Sequence, residues 1–187
     1  MNMNIKTKTL FTLALVLGVM SGSLLAKPLS GAGAADGTPD LPAGCENIRV
    51  EEGNKVAFSV YAAGVQVYRW NGSSWDFVGP VANLYADEGY HGKVGTHYAS
   101  PDGAVWESNS GSTVVARRKD GCDPDPSAIS WLLLQTYATD GPGIFNDVTF
   151  IQRVNTAGGL RPTLPGAPNE ERRVPYTTEY IFYRAQN

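Results

Sequence analysis

Apolar and polar positions alternate along most of this chain. From Lys55 to Tyr61, Val56, Phe58 and Val60 stand opposite Lys55, Ala57 and Ser59, the period of two that belongs to a half-buried strand. Gly64 to Trp70 repeats the theme, with Val65 and Val67 opposite Gln66 and Tyr68. Asn71-Gly72 then precedes Trp75-Asp76-Phe77. Asn-Gly supplies the positive φ angles of a tight hairpin turn, so the two aromatic runs are expected to pair. Asn71-Gly72-Ser73 also fits a glycosylation sequon, but the turn alone accounts for these residues.

Further turn signals stand at Glu88-Gly89, Ser100-Pro101-Asp102-Gly103 and Asn109-Ser110-Gly111. They predict short strands at Lys93 to Tyr98, Ala104 to Glu107 and Ser112 to Arg118. The continuous apolar run Trp131 to Tyr137 is read as a buried strand. Asp140-Gly141-Pro142-Gly143 breaks the chain before Asp147 to Asn155, where Val148, Phe150 and Val154 alternate with Thr149, Arg153 and Asn155. Thr156 to Asn169, rich in Gly and Pro, is expected to be a long ordered loop. Thr177 to Arg184 closes the pattern, with Thr178, Tyr180 and Phe182 opposing Glu179, Ile181 and Tyr183. No sustained period of 3.6 interrupts this series. The predicted fold is all-β, with eight or nine strands in a single antiparallel β-sandwich or small β-barrel domain.

The N-terminus follows a different rule. Lys6 and Lys8 precede an apolar run from Leu10 to Met20, followed by Ser23-Leu24-Leu25-Ala26. This is the layout of an export signal, and the apolar run is too short to span a bilayer, which takes about twenty residues. The chain is therefore divided into a cleaved signal peptide over 1–26, a flexible leader rich in Gly, Ala and Pro over 27–43, and a β-rich domain over 44–187. A secreted or periplasmic location follows, with no stable membrane insertion after cleavage.

In such a compartment Cys45 and Cys122, the only two cysteines, are expected to form a disulfide. Charge narrows the partners. Lys and Arg total 15 against 18 Asp and Glu; loss of Lys6 and Lys8 leaves 13 against 18, a balance of −5. An acidic chain whose only basic clusters are Arg117-Arg118-Lys119 and Arg172-Arg173 does not fit nucleic acid.

Candidate chemistry is sparse. His91 and His97 are the only histidines; an even separation could place both on one face of a sheet as a metal pair, but Gly89, Gly92 and Gly95 argue against continuous extension. No cofactor is predicted, and no metal is assigned. No Gly-x-Ser-x-Gly elbow is present, and Thr156-Ala157-Gly158-Gly159-Leu160-Arg161-Pro162 lacks the Lys-Ser/Thr and the helix of a phosphate-binding loop. The positive feature is aromatic density. Tyr68, Trp70, Trp75, His97 and Trp106 are the candidate binding residues, because Trp and Tyr combine apolar area with a polar tip. The leading expectation is a non-catalytic domain that binds an unidentified small ligand or an envelope component through an aromatic surface or a barrel mouth. The alternatives are an enzyme or metal-binding protein built on His91 and His97 with nearby carboxylates such as Glu107, and a structural or stress-related envelope protein.

Five runs carry a family resemblance: Gly64-Val65-Gln66-Val67-Tyr68, Gly95-Thr96-His97-Tyr98, Trp131-Leu132-Leu133-Leu134, Ile151 through Gly159, and Val174-Pro175-Tyr176-Thr177-Thr178-Glu179-Tyr180. In this order they resemble the uncharacterised secreted family numbered 3455 among domains of unknown function, from about Leu41 to Tyr183. The chain departs from the family at Ser110-Gly111-Ser112, where members show Asp-Gly-Ser, and at Ser130, where they show Pro. The resemblance implies export and brings neither an activity nor catalytic residues.

Overall fold

Eight antiparallel strands, joined in sequence order, close on themselves when the last pairs with the first. The computed structural model describes residues 37–186; the predicted signal peptide and residues 27–36 of the leader lie outside the described residues. The strands are β1 (Asn54–Trp70), β2 (Trp75–Tyr85), β3 (Lys93–Ser100), β4 (Gly103–Ser108), β5 (Thr113–Cys122), β6 (Trp131–Asp140), β7 (Val148–Gly158) and β8 (Glu171–Ala185). Of the two predicted architectures, the barrel is the one that forms. Trp131 to Tyr137 is a strand, and the Asn71-Gly72 turn joins Trp70 to its partner Trp75.

The two strands expected at Lys55–Tyr61 and Gly64–Trp70 are a single one. Gly64 explains why the ladder continues there. A Cβ at this position would lie 2.3 Å from the Val81 carbonyl oxygen, so only glycine permits the close approach of β1 to β2. Gly95 plays the same part between β3 and β4, where a Cβ would meet the Glu107 carbonyl oxygen at 2.2 Å.

Even-numbered residues point inward from Phe58 to Gln66 in β1 and from Tyr176 to Phe182 in β8, whereas Val56, beyond the bulge at Val56/Phe58, packs in the outer core. Val60 pairs with Tyr180 and Ala62 with Thr178, and Phe58 stacks on Phe182 with ring centroids 4.7 Å apart. Phe145, from the β6–β7 loop, closes this end of the barrel, 5.1 Å from Phe182. Val60, Leu84, Trp106, Val114, Ile151 and Phe182 complete the buried interior. Each such apolar side chain contributes about 1.5–3 kcal/mol by leaving water.

A second core lies on the outside of the wall. The chain enters through a 3-10 turn, Glu46–Ile48, which covers Leu133 of β6, Phe150 and Val154 of β7, and Ile181 and Tyr183 of β8. Leu41, ahead of the turn, packs against the same cluster. The Gln152 amide donates to the Ile48 carbonyl at 2.7 Å, and the Tyr183 hydroxyl donates to the Gln152 side-chain oxygen. The Cys45–Cys122 disulfide fastens the turn to the end of β5.

This outer core corrects the pattern expected for Asp147–Asn155. A bulge between Val148 and Phe150 switches the faces: Val148 belongs to the interior, whereas Phe150 and Val154 lie outward under the 3-10 turn. An alternation read from the sequence could not show that both faces of this strand are buried.

The disulfide links residues 77 positions apart, and closing so long a loop in the unfolded chain is worth up to about 4.5 kcal/mol. The paired substitution Cys45→Ser/Cys122→Ser should lower the urea midpoint and steepen the slope, because the unfolded chain without its cross-link exposes more surface. An unchanged midpoint would show that the outer core holds the turn without the bridge.

Candidate functional site

The end of the barrel opposite Phe145 is built differently. Pairing of β2 with β3 stops at Val81 and Tyr98, so Trp75 to Pro80 are bonded to β1 alone and the wall is low there. The β5–β6 and β7–β8 loops bend over this end. Ile129 donates its N–H to the Gly158 carbonyl at 3.0 Å, and the Thr156 hydroxyl donates to the Ile129 carbonyl at 2.6 Å. Between these loops and the interior lies a cavity of about 650 Å³. Its depth is lined by the buried Gln66, His97, Trp106, Leu134 and Tyr180, and its mouth by the exposed Phe77, Leu160 and Arg161.

His97 projects from β3 beside its cross-strand partner Trp106, with the two rings stacked at 4.3 Å; the Tyr180 ring meets the imidazole edge-on at 5.0 Å. Nδ1 lies 2.8 Å from the Val105 carbonyl. A carbonyl can only accept, so Nδ1 carries the proton and Nε2 is the acceptor of the neutral ring. Burial pushes the His97 pKa down to about 3; the Val105 carbonyl opposes this and Arg153 reinforces it. The imidazole is therefore neutral throughout the physiological range.

The remaining polar groups are mainly donors. The Tyr68 hydroxyl donates to the Gly159 carbonyl at 2.7 Å. Arg153 reaches inward from β7 and donates through Nε and Nη2 to the Ser130 carbonyl at 3.0 and 2.8 Å. Burial raises the pKa of the Tyr180 phenol, so it remains a donor. The Tyr176 hydroxyl and the Arg153 guanidinium lie close enough to interact with that hydroxyl and offset part of the rise, although neither contact has good hydrogen-bond geometry. Trp106 Nε1 and Gln66 Nε2 are likewise buried without a partner. An unsatisfied buried polar group costs about 1–3 kcal/mol, so three around one cavity form an exception that calls for an explanation.

The structure gathers Tyr68, His97 and Trp106 around the cavity. Trp70 and Trp75 sit elsewhere, edge to face at 5.5 Å beside the β1–β2 turn, where the Trp75 indole donates to the Leu164 carbonyl at 2.8 Å and anchors the β7–β8 loop. His91 does not join His97: it lies on the exposed β2–β3 loop, 3.0 Å from Asp87. Among the described residues no group of three potential metal ligands forms. Glu107 also points away from His97, accepting the Tyr98 hydroxyl at 2.9 Å in an exposed pair. Gly158 and Gly159 form a turn whose Gly159 N–H is spent on the Pro175 carbonyl at 2.8 Å.

A family model described as Protein of unknown function (DUF3455) matches residues 51–184, the whole barrel save Ala185 at the end of β8. The chain belongs to that family. No curated protein and no solved structure matches it. Among the described residues, no helix is long and apolar enough to cross a membrane. The segments Gly64 to Tyr68 and Gly95 to His97 each begin with a close-approach glycine and end at a cavity residue.

Three cavity residues escaped the sequence reading as site residues: Gln66, Arg153 and Tyr180. Gln66 and Tyr180 stand in predicted strands, but alternation does not tell which face is the lumen. Arg153 shared a predicted face with Thr149, on the polar side of a strand whose other side is also buried. An arginine in that register would have been legible only with the bulge known.

His97 is neutral in the native state and protonates readily when the chain unfolds. Its contribution to stability is complete above pH 6.5 and is lost as the pH falls from there toward 3, because the unfolded state binds the extra proton. Urea denaturation of wild type should thus show stability falling between pH 6.5 and 4, and His97→Gln should flatten part of that slope. The His97 ring resonances should stay fixed over the same interval; a midpoint near 6.5 would contradict the buried neutral ring.

Proposed function

We propose that this protein is an exported, non-catalytic binding protein that holds a small, largely apolar ligand in the lumen of its barrel. The carrying observation is the cavity itself: about 650 Å³, closed at the Phe145 end and open at the other. That volume falls in the range of small-molecule sites, roughly 300–1,000 Å³, and eight-stranded barrels are wide enough to take one such ligand. Ala104, Ala116, Leu132 and Leu134 provide apolar walls, and the small alanines leave the space that larger side chains would fill. Export is supported by the charged and apolar pattern of the first 26 residues and by the disulfide.

The chemistry of the lumen favours binding over turnover. His97 is the only histidine there, it stacks on Trp106, and Glu107, the carboxylate that could orient it, is engaged with Tyr98 on the other face. A general base works best with a pKa near the operating pH, whereas burial holds this ring at about 3 and no carboxylate faces it to raise that value.

The neutral fluorophore N-phenyl-1-naphthylamine should bind wild type in a saturable one-to-one manner and raise its melting temperature. Ala116→Phe narrows the lumen and should weaken that binding about tenfold, or about 1.4 kcal/mol. Overpacking costs about 1–3 kcal/mol, so Ala104→Phe, on the adjacent strand, is a second variant should the first not fold. Absence of saturable binding to wild type, or equal binding by the filled lumen, would remove the proposal.

A further inference from the structure

Cations and donors outnumber acceptors in the cavity. Four of the chain's fifteen Lys and Arg line it, Arg117, Arg118 and Arg161 exposed at its rim and Arg153 half-buried, against a single carboxylate, Asp123, also exposed at the rim. The chain as a whole carries −3, so this concentration of cations opposes the overall balance. Arg153 is the innermost of the four and is half-buried; among the described residues it pairs with no carboxylate. Its Nε and Nη2 meet one acceptor, the Ser130 carbonyl. That leaves Nη1 and the second Nη2 hydrogen, the end of the guanidinium fork that binds a carboxylate through two parallel hydrogen bonds.

A second, independent observation points the same way. Gln66, Trp106 and Tyr180 are 2%, 0% and 1% exposed, line the same cavity, and each holds a donor with no acceptor. Trp106 Nε1 can only donate. His97 Nε2 is an acceptor in the lining, but it meets none of these groups, and a negatively charged ligand acceptor satisfies Arg153 as well. The walls beyond are apolar, formed by Ala104, Ala116, Leu132 and Leu134.

Resting on the lumen-binding reading above, we infer that the ligand is an amphipathic acid, an apolar body with one carboxylate that Arg153 and the unpaired donors around it receive. The acid enters ionised, since the site offers cations and neutral donors and no base is required.

The test compares decanoate with 1-decanol, matched in chain length and different in the head group, by calorimetric titration of the disulfide-bonded protein. Decanoate should bind wild type at least tenfold more tightly. Arg153→Gln should abolish that preference while leaving decanol affinity within twofold. Tyr180→Phe, which keeps the ring and removes the hydroxyl, should weaken decanoate severalfold with decanol unchanged, and it serves where Arg153→Gln does not fold. Equal affinities for the two compounds in wild type, or a preference that survives Arg153→Gln, would overturn the assignment of an acid while leaving lumen binding intact. Failure of decanoate, decanol and N-phenyl-1-naphthylamine alike would overturn both.

Discussion

The ladder between β8 and β1 is the constraint on which everything else depends. From Asn54 paired with Ala185 to Arg69 paired with Glu171, it turns an eight-stranded sheet with two open edges into a wall with none. Once it forms, the side chains on even positions between the Val56/Phe58 bulge and the low end of the wall have nowhere to go but inward. Phe58, Val60, Tyr176, Tyr180 and Phe182 are buried or half-buried because of this closure, and a lumen exists at all only because the strands cannot flatten. The bulge at Val56/Phe58 and the glycine at position 64 are the local concessions that let a seventeen-residue strand follow the curvature.

The interior divides along its length by chemistry. At one end Phe58, Phe145 and Phe182 fill the lumen with rings. Toward the other end the cross-section is lined by small residues, Ala104 and Ala116, and by the polar tips of Gln66, His97, Trp106, Arg153 and Tyr180. Packing the first half stabilises the fold, whereas the second half sacrifices some of that stabilisation for space and for unpaired donors. Local inconsistency of this kind is where function is usually located. The disulfide and the outer core beneath Ile48 add stability on the far side of the wall, where it does not interfere with the cavity.

Much of the fold was legible in the sequence because a period of two and a hairpin turn are local signals. Asn71-Gly72 announced its hairpin, and Thr178, Tyr180 and Phe182 were placed together on one face. The choice between sandwich and barrel was not legible, since it depends on whether β1 and β8, separated by the whole domain, pair with each other. Of the candidate site, Tyr68, His97 and Trp106 could be named from their residue types. Arg153 could not, because its inward direction follows from a bulge and from an outer layer that buries Phe150 and Val154. Gln66 shares its predicted face with Tyr68, opposite Val65 and Val67, and alternation alone marks the two valines as the buried side; in a lumen the polar position is the informative one. Trp70 and Trp75 are as aromatic as Trp106, and only their position beside the turn separates an anchor from a site.

The covering of one side of the wall has a geometrical consequence. Beneath the 3-10 turn, strands β6 to β8 are shielded by chain, while β2 and β3 bear Val78, Val81 and Tyr98 bare to solvent. The cylinder thus has a front and a back, and its doorway, framed by Phe77 on β2, opens toward the front. The bare strands and the entrance to the chamber therefore share one side of the wall.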